Sequence, residues 1–404
     1  MNAEMSVSQT DVCVAGGGIA GMIAAISFAS LGYKTVCVDP TAPVTNKLCQ
    51  DADMRSTAFL QPARKLLLEI GLWERLQPFA SPLQIMRIID AGGDKSEPRI
   101  RSEFDASDIS DLPFGWNFPN WLLRRECLIK ISELENITFL TGVAVEGVLT
   151  RHDCAKIALS NGDSLEAKLL IAADGRNSAV RKAVGIETKT VRYGQHALAF
   201  TVTHPIPHKN VSTEIHRSGG PFTMVPLPDH EGSPASAIVW MERSPEALRL
   251  QKISVKDFEQ AMNERSCLLL GPLSLNSPRT AWPIISQYAK AMSAERTALI
   301  AEAAHVVPPI GAQGLNMSLN DVKSLYELAK ASPSEIGDST MLTKYHRSRH
   351  PDVRMRFLGI DALNRASMLS SRPLRDIRAL GLNLIYGFSP LRKSLMKVGL
   401  GAKD

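Results

Sequence analysis

Residues 11–39, DVCVAGGGIAGMIAAISFASLGYKTVCVD, place a glycine-rich turn between short apolar segments. Residues 12–15 and 35–38 are short, mainly apolar runs that predict buried strands, and residues 22–31 form an apolar, alanine-rich run that predicts a helix. Gly32 follows this run and is typical of a helix end. The order of strand, turn, helix and strand indicates an α/β fold of the Rossmann type.

The glycines of this turn follow the pattern Gly16-x-Gly18-x-x-Gly21. Gly16 allows the tight turn, Gly18 lets a pyrophosphate approach the backbone, and Gly21 lets the helix pack close to the strand. Asp39 ends the second strand, where it can accept a hydrogen bond from a ribose hydroxyl. We therefore predict a dinucleotide site, the alternative being a glycine-rich turn of an unrelated α/β unit. The motif does not distinguish FAD from NAD.

A second segment, residues 301–321 (AEAAHVVPPIGAQGLNMSLND), predicts a rigid loop that enters a helix. Pro308-Pro309 forbids regular structure, and Gly311 and Gly314 allow unusual backbone shapes. Helical spacing of the leucines begins near Gln313. A helix start presents free N–H groups and suits an anion, although an ordinary turn before a packing helix would share this pattern. A third segment, LLIAADGRNSAVR at 169–181, predicts a strand that ends in Asp174-Gly175.

Composition and charge limit the function classes. Hydrophobic residues make up 44% and charged residues 22% of the 404 residues, as in ordinary globular proteins. Residues 343–404 hold 13 Lys and Arg against 4 Asp and Glu, and the rest of the chain holds 33 against 37, so the basic character is local and nucleic acid is not an expected partner. Two interpretations of the basic tail stay open, contact with an anionic membrane surface and packing on the protein body.

Targeting and cysteine signals point to the cytoplasm. We see no signal peptide and no apolar run long enough to span a bilayer. The six cysteines form no CxxC pair, and the nine histidines show no ligand spacing, so we expect reduced thiols and no metal. The expected location is cytoplasmic, with peripheral contact at the inner membrane face as the open alternative for the tail.

The three segments, in this order, resemble the motifs of the group A flavoprotein monooxygenases, which are aromatic hydroxylases of the para-hydroxybenzoate hydroxylase type. GGGIAG with Asp39 is similar to their ADP-binding motif, AADGRNSAVR to their Asp-Gly motif, and AEAAHVVPPIGAQGLN to their second FAD motif. The resemblance implies FAD as cofactor, NAD(P)H and O2 as co-substrates, and a flavin C4a-hydroperoxide as the oxygen donor.

The resemblance also assigns roles to residues. In the family the second FAD loop covers the flavin ring, its acidic residue (here Glu302) holds the ribityl chain, and an arginine matched by Arg55 lies near the flavin. Pro226 and Trp240 are expected near the flavin face. The implied catalytic residues are Arg55, Pro309 and Gln313. The implied cofactor-binding residues are Gly16, Gly18, Gly21, Asp39, Arg55, Arg124, Asp174, Gly175, Glu302, Gly311, Ala312, Gly314, Leu315 and Asn316.

The second FAD loop departs from the family pattern in four places. Ala301, Ala312 and Ser318 stand where the family has glycine, and Glu302 stands where it has aspartate. Glutamate keeps the acceptor but is one methylene longer, and Gly311 precedes Ala312 as a substitute glycine. These changes affect the fine geometry of the loop and the tightness of FAD binding.

Three further stretches resemble the ubiquinone-biosynthesis hydroxylases: residues 53–78, residues 114–127 and the tail at 372–401. The resemblance implies ring hydroxylation of a polyprenylated phenol, with other quinone-biosynthesis proteins as partners. Two alternatives remain, a hydroxylase of a soluble aromatic compound and a non-catalytic flavin-binding partner in a quinone-synthesis assembly.

The resemblance and the strand-like alternation of residues 186–280 predict the domain organisation. A Rossmann-like, discontinuous FAD-binding domain is expected, together with a β-sheet substrate domain and a basic C-terminal helical segment. The predicted boundaries are 1–80, 120–185 and 281–345 for the FAD-binding domain, 81–119 and 186–280 for the substrate domain, and 346–404 for the C-terminal segment.

Overall fold

The structure, a computed structural model, describes residues 7–49, 51–93, 96–369, 376 and 389–400. Its helices are α1 (Ile19–Ser30), α2 (Gln61–Glu69), α3 (Trp73–Leu76), α4 (Asn120–Ser132), α5 (Ala179–Ala183), α6 (Ser244–Lys252), α7 (Val255–Arg265), α8 (Ala301–Ala304), α9 (Gln313–Ala331), α10 (Ser339–Ser367) and α11 (Ser389–Leu400).

The strands lie in two large sheets and one small sheet. They are β1 (Val7–Ala15), β2 (Thr35–Asp39), β3 (Ser56–Leu60), β4 (Ser81–Leu83), β5 (Ile85–Asp90), β6 (Ile100–Asp105), β7 (Gly115–Pro119), β8 (Ile137–Thr141), β9 (Val145–Thr150), β10 (Ala155–Leu159), β11 (Ser164–Ala172), β12 (Thr188–Thr203), β13 (Val211–His216), β14 (Pro221–His230), β15 (Ser233–Arg243), β16 (Ser274–Leu275), β17 (Thr280–Ala289), β18 (Ser293–Ala294), β19 (Thr297–Leu299) and β20 (His305–Val306).

The eight-stranded sheet is built around the predicted β-α-β unit. Its order is β18-β19-β11-β1-β2-β8, with β10 and β9 attached beyond β11, and β1 pairs in parallel with both β11 and β2. Val12, Val14 and the apolar side of α1 are fully buried in the main core. The α/β fold and the first two strands are thus confirmed, and the carboxyl ends of β1, β2 and β11 meet at one edge, where ligands bind in such sheets.

The nine-stranded sheet has the order β20-β17-β12-β15-β14-β13-β5-β6, with β16 attached to β12. The strand-like stretches predicted within residues 186–280 are confirmed as β12 to β15, which pair antiparallel, while β13 and β5 pair in parallel. One face of this sheet buries Phe222, Trp240 and Phe258 in a second core. The other face is therefore free to contribute to a ligand cavity.

The domain boundaries given above stay a prediction, and strand pairing bears on one of them. β17 pairs with β12, and β20 pairs with β17, inside the nine-stranded sheet. We propose that residues 280–289 belong with the substrate part, although the sequence assigned 281–345 to the FAD-binding part.

The C-terminal region is described only in part. The distinctive tail at 372–401 lies outside the described residues except for Asp376 and α11. Within the described residues no helix is long and apolar enough to cross a membrane. The six cysteines are free thiols, and Cys13, Cys37 and Cys127 are buried.

Candidate active site

The turn after β1 is shaped by close backbone contacts. Gly16 has a φ of +109°, and a Cβ added there would lie 2.3 Å from the carbonyl oxygen of Ala173. A Cβ on Gly21 would lie 1.9 Å from the carbonyl oxygen of Gly16. A Cβ on Gly18 would meet no atom within 4 Å, so the backbone is open there. Sterics therefore fix two glycines, and space at the third is left for a ligand.

Helix α1 begins at this turn without a side-chain cap. Its N-cap residue is Gly18, and its first turn holds no acidic side chain, so backbone N–H groups and the positive end of the helix dipole stay available. The nearby Asp39 carboxylate accepts from the Gly17 N–H at 2.6 Å and from the Thr41 N–H at 2.7 Å. This arrangement suits an anionic group at α1 with a carboxylate beside it.

Two arginines gather around Asp53 next to this turn. Arg55 donates two hydrogen bonds of 2.8 Å to the Asp53 carboxylate, Arg124 lies 3.3 Å from it, and Asn120 donates at 3.1 Å. Burial raises the pKa of Asp53, but the hydrogen bond and charge of Arg55 outweigh burial and hold the pKa below its usual value. Two guanidinium groups share one carboxylate, which leaves a net positive charge beside the glycine turn. Arg55 also stacks on Trp282 of β17, with 5.5 Å between guanidinium and ring centre.

The loop that the sequence singled out carries alanine in strained positions. Ala301 has a φ of +54° and Ala312 a φ of +55°, both in the left-handed region that favours glycine. These are two of the positions at which the chain departs from the family pattern. Glu302 is half exposed, and its carboxylate lies 3.6 Å from the Arg176 guanidinium. At these two positions the loop therefore keeps a glycine-type backbone without glycine.

Side chains at the start of α9 bind to the protein itself. Asn316 donates to the carbonyls of Ala58 and Ala312 at 2.8 and 2.7 Å, and accepts from the Leu60 N–H at 2.8 Å. Gln313 donates to the carbonyls of Gly311 at 3.0 Å and Gly399 at 3.1 Å, and accepts from Arg356 at 2.7 Å. The catalytic role of Gln313 and the cofactor-binding role of Asn316 stay predictions, and the geometry favours an indirect role in which the two side chains hold the loop. Helix α9 has no side-chain N-cap, so its first N–H groups remain available.

A buried charge network beneath the loop was missed by the sequence reasoning. Asp321 is fully buried, lies 2.6 Å from Nε2 of His305, accepts from Arg349 at 2.8 Å, and accepts from the Ala301 N–H at 3.3 Å. The sequence held one signal for this network, because Asp321 lies on the apolar face of the predicted helix and a buried acid needs a charged or hydrogen-bonding partner. The network ties the loop to α9 and α10.

The Asp-Gly segment at 174–175 is also held internally. Asp174 accepts hydrogen bonds from the Ser178 hydroxyl and from the Val180 N–H, so it fixes the start of α5. Gly175 has a φ of +81° with open space around it. Arg181 donates to the Ala303 carbonyl at 2.7 Å and connects this segment to the loop.

Two connected cavities gather most of the predicted residues. The first, here called the groove, measures about 320 Å³, and the second, the inner cavity, measures about 280 Å³. They share Arg55, Thr57, Glu302, Val306, Val307, Gly314 and Leu315. The groove adds Gly18, Gly21, Arg124 and Gly175, and the inner cavity adds Pro309, Gly311, Ala312 and Gln313. Four predicted residues line neither cavity and instead support the backbone beside the two cavities: Gly16, Asp39, Asp174 and Asn316.

The wall of the inner cavity corrects one expectation from the sequence. Pro226 and Trp240 do not line it; Trp240 is buried in the second core, and the Pro226 carbonyl accepts from Asn117. Their neighbours Val225 and Val239 line the cavity instead. Side chains alternate across a strand, so the expectation was wrong by one residue on each strand.

No group of three or more His, Cys, Asp or Glu that could hold a metal occurs within the described residues.

Comparison with known proteins agrees with this geometry. The model of the FAD binding domain family matches residues 9–356. The chain belongs to this family. It is 30% identical to ubiquinone hydroxylase UbiL of Rhodospirillum rubrum, over 97% of this chain and 89% of that protein. It is 23% identical to 3-demethoxyubiquinol 3-hydroxylase of Escherichia coli, over 98% of this chain and 100% of that protein.

The fold has a close counterpart among solved structures. p-Nitrophenol 4-monooxygenase PnpA from Pseudomonas putida matches with a TM-score of 0.79 at 18% identity, and the match covers 99% of this chain and 100% of that one. The chain is an FAD-dependent monooxygenase, and the predicted fold class, cofactor and enzyme class are confirmed.

Proposed function

We propose that the protein hydroxylates the aromatic ring of a polyprenylated phenol in ubiquinone biosynthesis, using FAD, NAD(P)H and O2. The similarity to ubiquinone hydroxylases along nearly the whole chain carries this proposal. The connected groove and inner cavity support it, because a long nucleotide cofactor and an aromatic ring need adjoining sites.

The groove fits FAD by the chemistry of its donors. The uncapped start of α1 and the open backbone at Gly18 suit the pyrophosphate, and Arg55 and Arg124 add positive charge. Glu302 offers an acceptor at the junction of the two cavities, where a polyol chain would pass. Asp39 accepts one backbone N–H at each carboxylate oxygen, and its remaining lone pairs would accept from the ribose.

FAD supplies the redox chemistry, which takes electrons from NAD(P)H and transfers one oxygen atom from O2 to the ring. The protein supplies position and electrostatics. The backbone N–H groups at the uncapped start of α9 would help to hold the cofactor and would favour negative charge on it. Leu83, Ile85, Val225 and Val239 give the inner cavity an apolar wall, which would orient an aromatic ring and exclude water from the reaction.

Helix α11 gives the proposed membrane contact a structural basis. Lys393 and Lys397 are exposed on it, while its Met396 is buried in a cluster with Leu60 and Phe114, which also line the inner cavity. The same helix accepts the hydrogen bond from Gln313 at the Gly399 carbonyl. We propose that the basic surface of α11 rests on the anionic inner membrane face, so that a lipid-borne phenol enters beside the cavity.

The test of the function is mass spectrometry of quinone-pathway lipids in cells that lack this chain. A prenylated phenol short of one oxygen should accumulate, and an intact copy should remove it. Unchanged lipids in cells without a redundant hydroxylase would contradict the ubiquinone assignment. A chain truncated before α11 distinguishes this substrate from a soluble aromatic compound. If the truncated chain loses turnover of the prenylated phenol alone, the membrane substrate is favoured. If it turns over both compounds equally, the soluble substrate is favoured.

A further inference from the structure

Glu214 is an acidic side chain in the wall of the inner cavity that no motif predicted. It lies on β13, where its register partners are Thr223 on β14 and Ile88 on β5. It lines the same cavity as Pro309 and Gln313 of the flavin loop. Its side chain is 15% exposed, so the carboxylate faces a small space and not bulk solvent.

The other ionisable side chains of the inner cavity are already paired. Among the described residues these are Arg55, which binds Asp53, and Arg176 and Glu302, which lie against each other. Arg55 and Glu302 also line the groove and belong to the cofactor end. Among the described residues, Glu214 is therefore the one carboxylate that the nine-stranded sheet contributes to the inner cavity, where neighbours such as Val225 and Val239 are apolar.

His216 holds this carboxylate from the next position on the same face of β13. Its Nε2 lies 2.8 Å from the nearer Glu214 oxygen, and because a carboxylate only accepts, Nε2 carries the proton. Nδ1 is buried and has no hydrogen-bond partner within the described residues. Asp90, the register partner on β5, is buried against Arg99, and the β14 partner Pro221 carries no charge. His216 binds one Glu214 oxygen, and among the described residues the other oxygen has no partner, so it is available to the cavity.

We propose that Glu214 is the catalytic base that accepts the phenolic proton of the substrate, and that His216 is its positioning residue. This inference rests on the proposed function, because a base is needed only if the substrate is a phenol. Oxygen transfer takes electrons from the ring, and the phenolic O–H becomes strongly acidic as this happens. A base within hydrogen-bond reach lowers the barrier by removing the proton at that moment.

The proton step balances as an acid–base exchange. The phenolic O–H bond breaks, its electron pair stays on the substrate oxygen and moves into the ring, and a new O–H bond forms on the Glu214 carboxylate. The carbon–oxygen bond formed on the ring uses one oxygen atom of O2; the other atom leaves as water, with the two electrons supplied by NAD(P)H. The ring C–H bond then breaks and its proton goes to water, so that the ring regains its aromaticity. The substrate oxygen takes its proton back from Glu214, which leaves the carboxylate ready for the next turnover.

The decisive experiment compares pH profiles of product formation in the FAD-loaded full chain. Glu214→Gln should lower hydroxylation about 100-fold at pH 7 and should regain rate as pH rises toward the phenol's own pKa of about 10, since an ionised phenol needs no base. The matched control is Glu103→Gln on β6, a carboxylate that pairs with Arg87 and Arg101 outside both cavities. It should keep the wild-type profile.

A binding measurement complements the rates. By calorimetry, the FAD-loaded wild type should bind a phenol about tenfold tighter than its methyl ether, because only the phenol donates a hydrogen bond to a charged acceptor. Glu214→Gln should reduce this preference to near one. His216→Ala should lower the rate about tenfold and keep the shape of the pH profile, and His216→Gln, whose amide can donate to Glu214, should recover part of the loss.

Two results overturn the inference. The first is that Glu214→Gln hydroxylates at the wild-type rate at pH 7. The second is that Glu214→Gln loses hydroxylation rate, does not regain it at high pH, and still binds the phenol more tightly than its methyl ether by the wild-type factor. A wild type that hydroxylates no polyprenylated phenol overturns the proposed function instead. In that case calorimetry still tests whether Glu214 recognises the phenol. Loss of the tighter binding of phenol over methyl ether in Glu214→Gln supports this role, and an unchanged affinity ratio refutes it.

Discussion

The two regions that the sequence predicts to bind the nucleotide maintain a glycine-type backbone by different means. In the turn after β1, close contacts leave no room for a side chain at Gly16 or Gly21. In the loop before α9, Ala301 and Ala312 adopt positive φ angles in spite of their Cβ atoms. The first region is set by sterics, and the second is held by hydrogen bonds from buried side chains.

The difference explains where the family pattern can vary. A contact of 1.9 Å between an added Cβ and a carbonyl oxygen cannot be relieved by small shifts, so the first turn needs glycine. A left-handed alanine costs about 1–2 kcal/mol, which the Asp321 and Asn316 hydrogen bonds of the second region can offset. The second motif therefore tolerates substitutions that the first would not.

The largest effect should come from Gly21→Ala. Its Cβ would clash with the Gly16 carbonyl, so we expect a loss of about 3 kcal/mol or more in the free energy of unfolding, together with loss of FAD. Gly18→Ala is the matched variant, because its Cβ meets nothing in the protein. It should fold with a nearly unchanged Tm and bind FAD at least about tenfold more weakly, since its methyl group would meet the pyrophosphate. Denaturation curves and flavin absorbance measure both, and equal behaviour of the two variants would contradict the steric account.

The next effect should come from breaking the network under the second loop. Asp321→Ala removes one of the two carboxylates that bind the buried Arg349 guanidinium, which keeps Asp352, and it also removes the partner of His305. This change should cost about 3 kcal/mol of unfolding free energy. The control is Glu327→Gln on the same helix, an exposed residue that pairs with Lys323, and its loss should cost less than about 0.5 kcal/mol. A mild effect of Asp321→Ala in urea denaturation would mean that the loop is held by something else.

Acid should weaken the ion pair of Asp53 and Arg55 in the groove. The pKa of Asp53 is lowered in the folded protein, because its bonds to Arg55 outweigh the effect of burial. Its contribution to stability is therefore present above the unfolded aspartate pKa of about 3.9 and lost as pH falls through the lower folded value. The stability difference between wild type and Asp53→Asn should be constant from pH 7 to about pH 5 and shrink below about pH 4. A difference that grows on acidification would reverse the sign of this argument.

The smallest expected effect is a gain in stability from replacing the two loop alanines with glycine. Ala301→Gly and Ala312→Gly should each stabilise the protein by about 1 kcal/mol in thermal unfolding, because glycine removes the left-handed strain. Ala329→Gly, in the ordinary helical backbone of α9, should destabilise it by about 1 kcal/mol. A loss at all three positions would show that the two loop alanines are not strained.

The sequence predicted the parts whose determinants are local. The β-α-β unit follows from residues 11–39 alone, and the helix at Gln313 follows from the spacing of its leucines. Gly314 and Gly175, which the motifs mark as cofactor-binding, line the cavities, while their cofactor role stays a prediction.

The parts that were missed depend on pairings distant in the chain. Asp321 meets Arg349 from another helix, and Asn316 meets the carbonyl of Ala58, which lies 258 residues earlier. Alternation along β14 and β15 predicts two faces but does not say which one meets the flavin loop, so Trp240 was chosen where Val239 lines the cavity. Glu214 was missed for the same reason.

The most direct test of the proposed function is a reaction with isotopic oxygen. The purified, FAD-loaded chain would be given NAD(P)H, a polyprenylated phenol and 18O2, and the lipid product would be analysed by mass spectrometry. We predict one hydroxyl group that carries the label on the aromatic ring. Oxidation of NAD(P)H without any labelled ring product, from a protein that binds the phenol, would contradict the proposed hydroxylation.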